Sequence, residues 1–168
     1  MSRTVIISGS ARKNGESGIL ISEMLRHIEA DVIHLVDHDI EHFNYDQNYK
    51  NDDFILLMQN LINQYETYIF ITPVYWYSMS GILKVFFDRL TDLLHTEKEW
   101  GRKLRTKNMA VMTTSSGGNL GDNFWHPFTE SAQYLGIKYL GNMHTINGVA
   151  EDGEIEEFLN KMNPAVAS

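Results

Sequence analysis

Residues 4–28, TVIISGSARKNGESGILISEMLRHI, join a short apolar run to a turn rich in Gly and Ser and then to an amphipathic pattern. Residues 5–7 are β-branched and apolar, which is typical of a buried strand. After the turn, apolar residues return at helical spacing: Ile19, Leu20, Met24, Leu25 and Ile28. This stretch therefore predicts a strand, a loop and a helix, in that order.

The same alternation continues along the chain. Further strands are predicted at residues 31–36, 67–72, 109–113 and 138–146, and further helices at 55–62, 81–94, 122–135 and 155–162. Residues 37–51 are polar, aromatic and irregular, as in a surface loop. The sequence thus predicts an alternation of β and α segments from one end to the other.

Alternation of this kind implies an α/β fold in which parallel strands are joined by right-handed helical crossovers. We expect a doubly wound three-layer sandwich with a five-stranded parallel sheet in the order 2-1-3-4-5, since 168 residues suit it better than the six-stranded dinucleotide fold. That order places a ligand at the carboxyl ends of the first and third strands. No linker or repeat interrupts the sequence, so we expect residues 1–168 to form a single domain.

Composition excludes several classes of site. The absence of cysteine rules out disulfides, thiolate zinc sites, cysteine-held iron–sulfur clusters and cysteine nucleophiles, so redox chemistry would need a bound cofactor. A formal net charge of −8 argues against a nucleic-acid or anionic-membrane surface. There is no signal-peptide core and no apolar run of about 20 residues, so we expect no membrane partner and a cytoplasmic location.

Three histidines, His34, His38 and His42, recur every four residues, which on a helix would place them on one face. Their segment is predicted to be a strand followed by a loop, and the other ligands of a typical zinc pattern are missing. We therefore predict no metal site.

The loop after the first strand has the composition of an anion-binding site. Glycines allow close backbone approach, Ser10 and Ser17 offer hydroxyl donors, Arg12 supplies charge, and the following helix presents unpaired N–H groups. A phosphate is the expected ligand, although the glycine spacing fits neither the P-loop nor the dinucleotide fingerprint. The alternative is an ordinary turn with Ser17 as helix N-cap, which would leave Ser10 and Arg12 unexplained.

Residues 72–81, TPVYWYSMSG, follow the third predicted strand and contain three consecutive aromatic residues. A core strand would alternate its faces and a core helix would space its apolar residues. Tyr75, Trp76 and Tyr77 instead suit a surface that meets a flat ring. The alternative is packing against a neighbouring subunit, where Tyr and Trp are also common, and the two interpretations are compatible.

A third loop, residues 113–119, TTSSGGN, follows the fourth predicted strand. Its two glycines allow backbone N–H groups to point at a ligand oxygen. Gly-Gly after a strand is usually only a turn. The hypothesis that this loop contacts a ligand is strengthened because the predicted strand order places it at the same edge as the other two.

Together these loops resemble those of the NAD(P)H-dependent FMN reductase family of the flavodoxin-like fold, which is related to quinone and azo-compound reductases. The resemblance rests on residues 9–17, GSARKNGES, and on residues 72–84, TPVYWYSMSGILK, extending through Phe87-Asp88-Arg89. The second segment is the more distinctive, and the order of elements agrees over nearly the whole chain. A departure is Glu16, where family members often carry a small or amide residue.

The resemblance implies a site in three parts. The FMN phosphate would be held by Ser10, Arg12, Asn14, Glu16, Ser17 and Gly18, some of them through backbone groups. The isoalloxazine ring would be lined by Pro73, Val74, Tyr75, Trp76, Tyr77 and Ser78. Its pyrimidine edge would be contacted by Ser115, Ser116, Gly117 and Gly118. Family members are commonly homodimers or homotetramers, which the aromatic loop would suit.

The function implied is transfer of electrons from NAD(P)H, the co-substrate, through bound FMN to a small acceptor. Quinones, azo and nitro compounds, free flavin and ferric chelates all fit, and no single catalytic residue is predicted because the cofactor carries the chemistry. One alternative is a flavodoxin-like FMN electron carrier that serves protein partners, which the acidic charge would suit. Another is a flavin-free interaction module on the same fold.

Overall fold

One parallel sheet forms the centre of the computed structural model, which describes residues 3–162. Its strands are β1 (Thr4–Ser8), β2 (Asp31–His34), β3 (Thr67–Pro73), β4 (Asn108–Ser115) and β5 (Lys138–Ile146). They lie in the order β2-β1-β3-β4-β5, so the predicted fold and strand order are confirmed. The first two and last six residues of the domain predicted over 1–168 lie outside the described residues.

Helices connect the strands and cover the sheet. They are α1 (Glu16–His27), α2 (Phe54–Gln64), α3 (Gly81–Arg89), α4 (Asp92–His95), α5 (Lys98–Lys103), α6 (His126–Leu135) and α7 (Glu154–Met162). Single 3₁₀ turns occupy Leu35–Asp37, Leu104–Thr106 and Asp122–Trp125. Each helix predicted from the sequence overlaps one of these α-helices.

Two apolar clusters, one on each face of the sheet, give the fold its three layers. One contains side chains of α2, α3 and α6, with Phe54, Phe86 and Phe128 fully or almost fully buried. The other contains side chains of α1 and α7, including Leu20 and Phe158. Residues 67–72 of β3 are buried throughout, as expected of a central parallel strand. The loops at its carboxyl end are thereby held on a rigid support.

The predicted helix over residues 81–94 was wrong in its length. Helix α3 ends at Arg89, where Leu90 and Thr91 donate to carbonyls three residues back, and the chain restarts as the short α4. Arg89 is 0% exposed, and its guanidinium binds Asp52 and Asp92. This buried network holds the segment between β2 and α2 against α3, because leaving any of its charges unpaired would be costly.

Other predicted bounds also need correction. Strand β2 ends at His34, two residues before its predicted end, because the chain turns into a 3₁₀ turn. Helix α5 was not predicted at all, and it holds Trp100 half-buried beneath Lys103. Within residues 3–162 no helix is both long enough and apolar enough to cross a membrane.

Candidate functional site

The carboxyl edge of the sheet brings the three predicted loops together. The Ser80 hydroxyl, at the start of α3, donates to the Gly9 carbonyl at 2.5 Å and so joins the loops after β1 and β3. The Val74 N–H donates to the Thr114 carbonyl at 3.0 Å, which joins the loops after β3 and β4. Residues far apart in sequence therefore form one continuous surface, as the strand order predicts.

Ser10 shapes the loop after β1. It is 7% exposed, and its hydroxyl donates to the Arg12 carbonyl at 2.8 Å and accepts from the Arg12 N–H at 3.2 Å. This turn folds the chain back and leaves Arg12 exposed. The hydroxyl that was expected to face a ligand is thus engaged with the loop's own backbone.

Ser17 lies inside α1 rather than at its cap. The N-cap position is Gly15, so the alternative of Ser17 as N-cap is wrong. The Ser17 side chain is 2% exposed, and its hydroxyl has no hydrogen-bond partner among residues 3–162. A buried hydroxyl without a partner costs free energy, and such a group at a helix start is well placed to bind an anion. In the first turn of α1 the Gly18 N–H donates to the Gly15 carbonyl at 2.9 Å, which leaves the N–H groups of Glu16 and Ser17 for a ligand.

Gly18 permits the loop to pack on the helix. A β-carbon at this position would lie 1.9 Å from the Lys13 carbonyl oxygen, so only glycine allows that contact. Lys13 in turn pairs with Asp37 beyond β2, with Nζ and Oδ2 2.6 Å apart. Asn14 is exposed beside them. The close approach of Lys13 to α1 keeps the loop over the first turn of the helix.

The aromatic loop after β3 is a tight turn with an unusual backbone. Tyr75 and Ser78 exchange two backbone hydrogen bonds of 2.9 and 3.1 Å, while Trp76 and Tyr77 have φ angles of 50° and 60°. Two successive positive φ angles define a type I′ turn, which normally carries Asn and Gly. We define residues 75–78 as the aromatic turn.

The aromatic turn projects its rings into solvent. The exposed fractions are 51% for Tyr75, 95% for Trp76 and 74% for Tyr77. Ser78 is also exposed, whereas Pro73 and Val74 are half-buried. The Val74 side chain packs against the core, so it is less available to a ring than the side chains of the aromatic turn.

The loop after β4 is held by a histidine that the sequence did not single out. The Ser115 hydroxyl donates to the Gly117 carbonyl at 2.8 Å and lies 2.7 Å from Nε2 of His144 on β5. Because its one proton goes to Gly117, we assign the second contact to a bond donated by His144 Nε2–H. Burial lowers the pKa of His144, which keeps the ring neutral. Ser116, Gly117 and Gly118 are exposed.

Glu16 points towards β4. Its Oε2 lies 3.5 Å from the Thr114 hydroxyl, which accepts a 2.7 Å hydrogen bond from the Gly148 N–H. A β-carbon on Gly148 would lie 2.3 Å from the Glu16 carbonyl oxygen, so the turn after β5 packs directly on the start of α1. Sequence spacing alone could not reveal this contact.

The predicted site residues therefore form three groups along one edge. The first has a loop over the start of α1, the second an exposed aromatic turn and the third a loop with exposed glycines. Together they can receive an anionic group at one end and a flat ring at the other. Among residues 3–162, no three His, Asp or Glu side chains are grouped as a metal site requires.

Solved structures share the fold. The Trp repressor binding protein of Bacillus subtilis has a TM-score of 0.70 at 20% identity, over 95% of this chain and 96% of that one. General stress protein 14 of Treponema denticola, solved in complex with FMN, has a TM-score of 0.61 at 17% identity, over 98% and 96%. At these identities the likeness concerns the fold alone.

Sequence comparison identifies the family. YwqN of Bacillus subtilis (strain 168), named as an NAD(P)H-dependent FMN-containing oxidoreductase, is 29% identical over 98 residues, 55% of this chain. The match spans 54%, about half, of that relative's length. The model of the NADPH-dependent FMN reductase family matches residues 2–150. The chain thus belongs to the NADPH-dependent FMN reductase family, whose cofactor is FMN, as its three loops predicted.

Proposed function

We propose that this chain binds FMN at the carboxyl edge of its sheet and uses it to pass electrons from NADH or NADPH to a small acceptor. Quinones, azo and nitro compounds, free flavin and ferric chelates are the acceptor classes considered. Support comes from family membership and, above all, from the buried Ser17 hydroxyl at the start of α1, which has no hydrogen-bond partner among residues 3–162. We propose that residues 1–168 form a single FMN-binding domain.

At the phosphate end, the proposed ligands are the Ser17 hydroxyl, the Arg12 guanidinium and backbone N–H groups between Asn14 and Gly18. Arg12 makes no ion pair with another residue among 3–162, so its charge is available to a phosphate oxygen. Ser10 acts indirectly in this proposal, because its hydroxyl fixes the turn that presents Arg12. The α1 dipole adds to the attraction.

At the ring end, the aromatic turn would line one side of the isoalloxazine, and backbone groups of residues 115–118 would contact its polar edge. FMN held there would supply the redox chemistry that links the nicotinamide to the acceptor. The contribution of the chain is to position the ring and to direct backbone donors at its pyrimidine edge, where they would stabilise developing negative charge. The hydrogen bond from His144 holds Ser115 in this loop.

The exposure of the aromatic turn also supports a homodimer or homotetramer, in which a second copy covers Trp76. Light scattering of the purified protein tests this part separately. A monomer at micromolar concentration would contradict it without affecting the cofactor assignment.

An absorbance titration of the purified protein with FMN, followed by anaerobic NADH or NADPH, tests the function. A perturbed, protein-bound flavin band that bleaches with the nicotinamide is the expected result. Binding without bleaching would favour an electron carrier, and no binding would contradict the cofactor site. Acceptors can then be ranked by the rate at which each restores the flavin band.

Replacing Arg12 by Ala should weaken FMN binding by about 1.5–3 kcal/mol, because a charged hydrogen bond to phosphate is lost. Arg26→Ala is the matched control, since Arg26 lies in the last turn of α1, at the end of the helix opposite the loop that carries Arg12. Flavin fluorescence titration measures both. Equal FMN affinity in Arg12→Ala and the parent would remove Arg12 from the site.

A further inference from the structure

Four charged side chains lie in or beside the loop proposed for the FMN phosphate. Arg12 and Lys13 are cations, whereas Glu16 and Asp37 are anions, so their formal charges cancel. Lys13 is already engaged, since its Nζ lies 2.6 Å from Asp37 Oδ2. The loop therefore has one cation, Arg12, without an ion-pair partner in the described part of the chain, to attract a phosphate. It also has one carboxylate, Glu16, that repels a phosphate.

That carboxylate has a defined position. Glu16 is the first residue of α1, and the packing of Gly148 on its carbonyl fixes its backbone. Its side chain reaches towards the Thr114 hydroxyl at 3.5 Å rather than along the helix. A carboxylate in the first turn is itself stabilised by the helix dipole. It uses the same positive end that a phosphate would use, and it repels a dianion nearby.

We propose that Glu16 lowers the affinity of this loop for the FMN phosphate, with Asp37 contributing by neutralising Lys13. Bound FMN would consequently exchange with flavin in solution rather than stay permanently attached. Glu16 is in this sense a specificity-determining residue, because it reduces the advantage of FMN over riboflavin, which has the same ring but no phosphate. The inference rests on the proposed function.

Glu16→Gln tests it, since the amide keeps an oxygen for Thr114 and removes only the charge. Fluorescence titrations with FMN and with riboflavin separate the phosphate from the ring. We expect the dissociation constant for FMN to fall about three- to fivefold, a modest change because Glu16 is exposed to solvent. Riboflavin affinity should stay the same, and the gain for FMN should shrink as salt is added.

Two further variants sharpen the test. Asp37→Asn releases Lys13 and should also tighten FMN without affecting riboflavin. Glu23→Gln is the matched control, because Glu23 lies seven residues further along α1, about 10 Å away, and pairs with Arg26. It should leave both affinities unchanged.

Three results would overturn the inference. The first is an unchanged or weaker FMN affinity in Glu16→Gln, and the second is an equal gain for riboflavin. Either would leave the proposed function standing. The third, failure of both the parent and Glu16→Gln to bind FMN, would overturn the proposed function together with this inference.

Discussion

The hydroxyl of Tyr68 is buried on β3 without a hydrogen-bond partner among residues 3–162, and its side chain is 2% exposed. Burial raises the pKa of Tyr68, so the group stays neutral. An unsatisfied buried hydroxyl costs about 1–3 kcal/mol. Unlike the Ser17 hydroxyl, it lies within the core and away from the site, so no ligand would offset that cost.

Tyr68→Phe should therefore raise the free energy of unfolding by about 1 kcal/mol, as measured by urea denaturation. Tyr65→Phe is the matched control. The Tyr65 hydroxyl donates to Asp31 at 2.8 Å, so its removal should lower the free energy of unfolding. A loss of stability in Tyr68→Phe would show that its hydroxyl has a partner, such as a buried water.

The aromatic turn is the element in which function and stability conflict. Trp76 and Tyr77 hold left-handed φ angles that bulky side chains rarely adopt, and their rings are mostly exposed. Backbone strain of this kind costs about 1–3 kcal/mol per residue and tends to persist at functional sites. Little packing on the rest of the chain compensates for it.

Replacing Trp76-Tyr77 by Asn-Gly, the pair preferred in type I′ turns, should raise the free energy of unfolding by about 1–2 kcal/mol. The same double variant should bind FMN more weakly, because the rings are lost. Thermal denaturation and fluorescence titration measure the two effects. Tyr134→Asn, a change at an exposed aromatic on α6, should produce neither. Lower stability in the double variant would show that the turn is not strained.

The sequence predicted those elements whose apolar residues follow a regular period. The continuous apolar run of β3 and the helical spacing of α1 are examples, and both were confirmed. Helix α5 was not predicted because Trp100 is its one large apolar residue and Gly101 interrupts it. A β-carbon on Gly101 would lie 2.2 Å from the Leu93 carbonyl oxygen, so tertiary packing requires the glycine. Such packing leaves no periodic pattern.

Contacts between distant residues account for most of what could not be predicted at the site. The three loops were predicted to share an edge because the alternation of elements and the chain length favour the strand order 2-1-3-4-5, and they do share it. The contact of Ser115 with His144 depends instead on the pairing of β4 with β5, in which His144 lies opposite Thr113. The direction of the Glu16 side chain depends in the same way on Thr114. Neither contact has a sequence spacing that reveals it.

At the scale of the whole molecule, the pKa values of two histidines near the edge that holds the site, His34 and His144, are lowered. Burial lowers the pKa of His34, and the nearby Lys13 charge lowers it further against the opposing effect of Asp37. Burial also lowers the pKa of His144, opposed by Glu154 on α7. Nδ1 of His34 is buried without a partner among the described residues. Both rings are therefore neutral in the folded protein at pH 7, and protonation disfavours the folded state.

The free energy of unfolding should therefore fall as these histidines become protonated. An unfolded histidine titrates near pH 6.5, and below that pH the unfolded chain binds more protons than the folded one. The free energy of unfolding should thus be steady above pH 7 and fall as the pH drops from about 6.5 towards 5. The carboxyl group of Asp52 affects the free energy of unfolding at lower pH. Burial alone would raise its pKa, but hydrogen bonds from Arg89 lower it, so its contribution is lost only below about pH 4.

Urea denaturation of the His34→Gln/His144→Gln double variant at several pH values from 8 to about 5 tests this prediction. Removing both rings should flatten the decline between about pH 6.5 and 5, because the protons that favour the unfolded chain can no longer bind. His126→Gln is the matched control, since the His126 side chain is 72% exposed. A decline equally steep in the double variant and the parent would assign the acid sensitivity to other groups.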